Sequence, residues 1–303
     1  MKANIIGRRK IWYIFSGTLL LISIISLFFW RLDLGLDFAG GTLFELKFDK
    51  SINVEDVRID IKSQGIEGTI QSTGANQVLV RTKPISKDQK DAIEKQLADK
   101  FGQASEVRYE TVGPTISRDL TQKAFLAVFF ASLVIVFYVA FAFRKVSHRV
   151  SSWKFGISGI VALLHDALIV VGLFSVLGHF LNVEVDSLFV TAILTVISFS
   201  VHDTIVIFDR IRENLKKYND QSLEEVTNRS VVEMMPRSIN TSMVVFLVVL
   251  ALYLFGGETT KYFSLALLVG IFFGTYSSIF IASPLVVTWQ GWQDARAKKA
   301  KKE

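Results

Sequence analysis

IWYIFSGTLLLISIISLFFW, residues 11–30, holds twenty residues without a charge. At about 1.5 Å of rise each, twenty helical residues reach about 30 Å, the thickness of a bilayer's hydrocarbon core. The basic start before it, MKANIIGRRK, gives the segment the outline of a secretion signal. The run is too long for one, and no small-residue cleavage site follows it, so a retained membrane helix is expected. Five further runs meet the same length rule, at about 119–142, 155–178, 186–209, 238–256 and 261–289. Half of the 303 residues are hydrophobic and only 4 are Pro, which suits six spans and does not suit a soluble globule. Trp12, Tyr13, Trp30 and Trp289 lie near span ends, where amphipathic rings favour the interface.

The net charge of +6 sits beside the apolar runs, where it sets membrane topology, and is not a nucleic-acid signature. Lys2, Arg8, Arg9 and Lys10 precede the first span, and Arg144, Lys145, Arg149 and Lys154 follow the second. Arg210, Arg212, Lys216, Lys217, Arg229 and Arg237 follow the fourth, and Arg296, Lys298, Lys299, Lys301 and Lys302 follow the sixth. The alternate short loops, GHFLNVEVD and FGGETTK, share one lysine. Both termini are therefore expected in the cytoplasm, with the long segment 31–118 on the other side. The chain divides into 1–30 (N-terminus and first helix), 31–118 (extracytoplasmic α/β domain), 119–289 (helices two to six with cytoplasmic loops) and 290–303 (basic tail). Cysteine is absent, which excludes disulfides and thiolate metal sites.

Within 31–118, LFELKF (43–48), Thr69–Thr73, Gln77–Thr82 and Ser105–Thr111 read as strands. Asn53 caps a helix through about Gln64; Ser86 and Gln89 have capping-box spacing before one ending near Phe101 and Gly102. The order β-α-β-β-α-β suggests a ferredoxin-like sandwich. In the fourth loop, 222–235 reads as a surface helix with a Ser222–Glu225 capping box, and Pro236 opens the fifth span.

SFSVHDTIVIFDRIREN (198–214) then poses a problem, because it sets His202 and Asp203 inside span four. ALLHD (162–166) does the same with His165 and Asp166 in span three. A charged Asp near the bilayer centre costs about 2.5–3.5 kcal/mol on insertion scales, so each needs a reason. Asp203 shares a helix stripe with Val196, Phe199, Ile207 and Arg210 and lies about six residues, roughly 9 Å, inside the cytoplasmic end of its span. RSINTS (237–242) opens span five with Arg237, Asn240 and Thr241 on one face, which makes Arg237 the expected charged partner of Asp203. A titrating carboxylate would be the seat of proton coupling; a neutral or paired one would be helix glue. His165, Asp166 and His202 are relay or support positions on the same two readings. No further ligands complete a metal site around the two His-Asp pairs, and no cofactor motif is present. Gly270, Gly274, Ser278 and Ala282 recur every four residues in span six, a stripe for close helix packing.

GLDFAGGT (35–42), VGPTIS (112–117), ALLHD (162–166), VHDTIVIFDRIREN (201–214) and RSINTS (237–242) together resemble the SecF branch of the SecD/SecF family. The resemblance runs over nearly the whole chain. It implies pairing with SecD in a twelve-span assembly of resistance-nodulation-division type, association with SecYEG and in many bacteria YajC, and use of the proton-motive force to pull unfolded exported polypeptide outward. It also implies that Asp203 and Arg237 serve proton conduction in a bacterial plasma membrane. His202 stands where the family usually has Asn, a titratable neighbour expected to shift the pH range of coupling. Gly35, Gly40 and Gly41 around Asp37 read either as a tight turn into the first strand or, with Gly113 and Pro114, as a hinge. Without G-x-x-x-x-G-K-[ST], energy must come from an ion gradient or a partner, and no enzymatic nucleophile with a base stands out. The rival functions are a proton-coupled small-molecule exporter and a non-conducting structural subunit.

Overall fold

The computed structural model describes residues 4–63, 65, 66, 68–142 and 151–300. The predicted basic residues Lys2, Arg144, Lys145, Arg149, Lys301 and Lys302, and the expected helix end at Gln64, lie outside the described residues. The chain forms two units, one of Met1–Asp33 with Leu126–Glu303, the other of Leu34–Phe125.

The first unit is helical. Its helices are α1 (Arg9–Phe29), the body of α5 (Pro114–Ala142), α6 (Ser152–Leu181), α7 (Ser187–Lys217), α8 (Leu223–Phe255), α9 (Glu258–Ser277) and α10 (Ser283–Ala300). Among the described residues six spans are long and apolar enough to cross a membrane, α9 and α10 together making the sixth. α6, α7 and the sixth span form the interior, whereas α1 and α8 bury little and the apolar window of α5 buries nothing. α6 ends on Asn182, whose φ of 53° is the left-handed cap that Asn tolerates. Asp186 then caps α7 by accepting from the Phe189 N–H at 2.9 Å, so α7 turns back along α6 after only residues 182–186.

Two elements differ from expectation. The predicted surface helix 222–235 and the fifth span are one continuous helix, α8, with Pro236 inside it and not at its start. Proline removes one rung of the hydrogen-bond ladder, and a membrane helix carries on through that loss. The Ser222–Glu225 capping box does form at the start of α8. The sixth span is not one α-helix: Ser278–Ala282 is a π-turn between α9 and α10. Pro284 explains its place, since Pro has no N–H for the preceding turn and its ring crowds the carbonyl four residues back. The Ser283 hydroxyl bonds the Ser278 carbonyl across this wide turn at 2.9 Å.

Lys154, read as a loop cation, is fully buried in α6 and donates to the Gln290 side chain of α10. Small residues bring α1 against α6. A Cβ on Gly172 would lie 2.2 Å from Ser23 Cβ, and Ser26 Oγ donates to the Gly172 carbonyl at 3.1 Å.

The second unit carries the short helix α2 (Leu36–Ala39), strand β1 (Gly41–Phe48), α3 (Val54–Ser63), β2 (Gly68–Gly74), β3 (Gln77–Thr82), α4 (Lys87–Phe101) and β4 (Ala104–Val112). The sheet order β2-β3-β1-β4, antiparallel at every pairing, is the ferredoxin-like arrangement. Phe44, Leu46 and Phe48 alternate along β1, and Val78 and Val80 along β3. They meet Val57 and Ile61 of α3 and Ile93 and Leu97 of α4, each pair four residues apart on its helix. Both predicted caps form: Asn53 accepts from the Glu55 N–H at 3.0 Å, and Ser86 and Gln89 make the reciprocal capping box.

Candidate functional site

α7, α8 and α9 converge on Asp203. It is buried, and it lies on the wall of a cavity of about 310 Å³. α7 lines this cavity with Ser198, Phe199 and His202, α8 with Thr241 and Ser242, and α9 with Ile271, Gly274 and Thr275. Glycine at 274 lets the wall pack closely on α7, since a Cβ there would be 3.3 Å from Ser200 Cα, a tight contact. One turn earlier, a Cβ on Gly270 would be 2.0 Å from Val196 Cγ2.

Ser242 Oγ and Thr275 Oγ1 each lie 3.2 Å from Asp203 Oδ2, and the two hydroxyls are 2.6 Å apart. Each hydroxyl has one proton to give. The three contacts therefore resolve into a chain in which one hydroxyl donates to the other and that one donates to the carboxylate. Asp203 Oδ1 takes no hydrogen bond among the described residues. The carboxylate thus has one anchored oxygen and one left for the cavity.

The predicted cation is not at hand. Arg237 and Asn240 are exposed on α8, and no ion pair joins Arg237 to Asp203 among the described residues. Two hydroxyls stand where the charged partner was expected: Arg237 shares a face with Thr241 of the cavity wall but lies four residues, roughly 6 Å, before it on α8. His202 and Thr241 do share the cavity with Asp203, and both are exposed.

His165 and Asp166 form a separate, buried cluster. His165 Nδ1 lies 2.8 Å from Asp166 Oδ1, while Ser200 and Ser277 donate to Oδ2 at 2.5 and 2.7 Å. Ser278 of the π-turn meets Thr204 Oγ1 at 2.7 Å and the Ser200 carbonyl at 3.3 Å. The hydroxyls of Ser200, Ser242, Thr275 and Ser277 escaped sequence reasoning. Their signals were weak: Ser200 is three residues before Asp203, Ser242 ends RSINTS, and Thr275 and Ser277 each adjoin a position of the small-residue stripe of span six.

In the α/β unit, Gly35 precedes α2 with an ordinary φ of −68°, and Asp37 is in the first turn of α2. Gly40 and Gly41 have φ of 70° and 134°, and a Cβ on Gly41 would meet the Thr82 carbonyl oxygen at 2.5 Å. The glycine pair is therefore required by the entry into β1. Gly113 has open space where a Cβ would go, and Pro114 occupies the first position of α5, where its missing N–H costs nothing.

Six apolar spans, an α/β unit between the first and the second, and a carboxylate on an intramembrane cavity define a multi-pass α-helical membrane protein with a built polar site. The family description "Protein export membrane protein SecD/SecF, C-terminal" matches residues 92–292, and "SecD/SecF GG Motif" matches residues 25–52. The chain belongs to the SecD/SecF family of protein export membrane proteins. It is 44% identical to a protein translocase subunit SecF of Thermobaculum terrenum, over 95% of this chain and 94% of the relative. It is 36% identical to a protein translocase subunit SecDF of Bacillus subtilis, over 96% of this chain but 38% of that longer relative. Among solved structures it is similar to SecDF of Thermus thermophilus, a translocon-associated membrane protein, with a TM-score of 0.84 and 33% identity. That match covers 96% of this chain and 39% of the solved chain.

Proposed function

We propose that this chain acts as a SecF-type subunit of the bacterial Sec machinery. It pairs with SecD, associates with SecYEG and in many bacteria with YajC, and uses the proton-motive force to promote translocation of unfolded polypeptide. In this reading it is not an enzyme, it resides in the plasma membrane with both termini in the cytoplasm, and its α/β unit is extracytoplasmic. The observation that carries the reading is Asp203: a buried intramembrane carboxylate on a cavity wall, bonded to hydroxyls and not to a fixed cation, with one oxygen unbonded. Asp166, by contrast, has both oxygens held and none turned to this cavity.

Proton arrival at Asp203 neutralises it, and departure restores a charge that needs a partner. Arg237, about one and a half turns before Ser242 on α8, supplies that partner when α8 moves against α7. One charge crossing 100 mV gains about 2.3 kcal/mol, a shift of about 50-fold in a two-state equilibrium. That suffices to bias a conformational cycle without nucleotide. The test is translocation in inverted membrane vesicles, with and without this chain, after the ATP-driven step. Faster completion under a proton gradient only when the chain is present is expected; equal rates would overturn the reading.

A further inference from the structure

The second carboxylate has a different environment from the first. Asp166 is completely buried and His165 nearly so, and neither lines the Asp203 cavity. Both Asp166 oxygens are bonded, yet among the described residues no lysine or arginine pairs with it. Its single titratable contact among the described residues is the neighbouring imidazole. The other nearby titratable groups are Tyr276 of α9, whose ring stacks on His165 at 6.2 Å, and His202 and Asp203 of α7 on the adjacent cavity. A lone anion sealed from water is strongly disfavoured, whereas an aspartate and an imidazole sharing one added proton are neutral together. In that neutral pair one proton lies between Nδ1 and Oδ1, 2.8 Å apart, and Nε2 carries the other imidazole hydrogen, whichever atom is drawn as holding the first.

His165 Nε2 is also buried, and among the described residues it has no hydrogen-bond partner. In every protonation state this nitrogen is either an unused donor or an unused acceptor. Buried polar atoms are rarely left so, and a site that gains and loses a proton accounts for one here.

The two carboxylates are held by the same pair of helices. α7 places Ser200 on Asp166 and carries Asp203 one turn later. α9 places Thr275 on Asp203 and Ser277 on Asp166, two residues apart. The π-turn begins immediately after Ser277, so the helix loosens where these contacts end. A slide of the sixth span along α7 that frees Asp203 from Thr275 also frees Asp166 from Ser277.

From this geometry we propose that His165 and Asp166 form a second proton-binding site, occupied in this conformation and emptied when the sixth span shifts against α7. The emptying step rests on the proton-coupled reading of Asp203; the occupancy does not. The test uses the full chain with a SecD-type partner in lipid vesicles at neutral pH. Infrared spectra report protonated carboxyl groups, and ¹⁵N-histidine spectra report imidazolium. The expected result is one shared proton: either a carboxyl band lost in Asp166→Asn or an imidazolium signal lost in His165→Gln, each retained in Asp203→Asn. An ionised Asp166 beside a neutral His165 in the wild type overturns the proposal, and that measurement needs no variant to fold. Under an imposed proton gradient, the signal should weaken in the wild type; constancy while the gradient drives translocation overturns the coupling. A gradient that drives no translocation would count against the proposed function alone, with the occupancy arm still deciding this one.

Discussion

The seam between α7 and α9 builds the Asp203 cavity, and Gly270→Ala probes it. The added Cβ would sit 2.0, 2.7 and 2.9 Å from Val196 Cγ2, Cγ1 and Cβ. Carbon atoms in contact prefer about 3.5–4.0 Å, so the nearest pair must part by about 1.5 Å. No rotation of Val196 clears the clash: its χ1 is stiff, its Cβ is itself in the way, and it is fully buried. The helices must separate, at an overpacking cost of about 1–3 kcal/mol. Alanine's better helix propensity returns about 0.8–1.0 kcal/mol, leaving a net loss of up to about 2 kcal/mol, and the 2.0 Å approach puts this site at the costly end. Gly274→Ala meets Ser200 at 3.3 Å, which needs a shift of only a few tenths of an ångström, so the same propensity gain brings it close to neutral. Gly17→Ala in α1 meets nothing within 4 Å and should stabilise. Denaturation midpoints in detergent, followed by helical circular dichroism, should rank Gly17→Ala at the top, Gly274→Ala near wild type and Gly270→Ala at the bottom. Val196→Ala added to Gly270→Ala should recover part of the loss. A Gly270→Ala protein as stable as wild type would refute the seam.

Gly41→Ala should lower protection of β1 amides in hydrogen exchange, because of its positive φ and the Thr82 carbonyl. Gly113→Ala should leave that exchange unchanged, and slowed export in that variant would favour the hinge role. Lys90 is buried in the α/β unit against Glu106, Glu94 at 2.6 Å and Asp91 at 3.2 Å. Lys90→Met should cost about 1–3 kcal/mol of protection in α4 and β4, and equal protection would contradict the role of that cluster. Burial alone would lower the Lys90 pKa, but the three carboxylates outweigh it and hold it raised. Its contribution is therefore full at neutral pH and lost only above the ordinary lysine range. Ser222→Ala removes one half of the α8 capping box and should fray its first turn by about 1 kcal/mol, seen as faster exchange confined to residues 223–226.

The spans and the α/β order were legible because each rests on a long or repeated signal. A twenty-residue apolar run, two capping boxes and alternation in LFELKF are local patterns with one reading each. Asp203 was legible because a carboxylate in a membrane helix is costly enough to stand out. Its partners were not. Serine and threonine are common in membrane helices, and only the packing of α7 on α9 and α8 selects Ser242 and Thr275. Arg237 was chosen by depth and by the face it shares with Thr241, and neither reports that it stands about a turn short of the cavity wall. Proline misled at 236 and went unused at 284, where it marks the π-turn beneath the Asp166 cluster.

The central claim is that Asp203 carries the proton that couples a gradient to export. The direct measurement is completion of translocation in vesicles holding this chain and its SecD-type partner, with and without a proton gradient, for wild type and Asp203→Asn. The asparagine keeps the size and accepts from Ser242 or Thr275, so the packing of α7, α8 and α9 is retained. The gradient should accelerate wild type and leave the variant at its gradient-free rate. A variant that still accelerates would show that Asp203 only holds helices together.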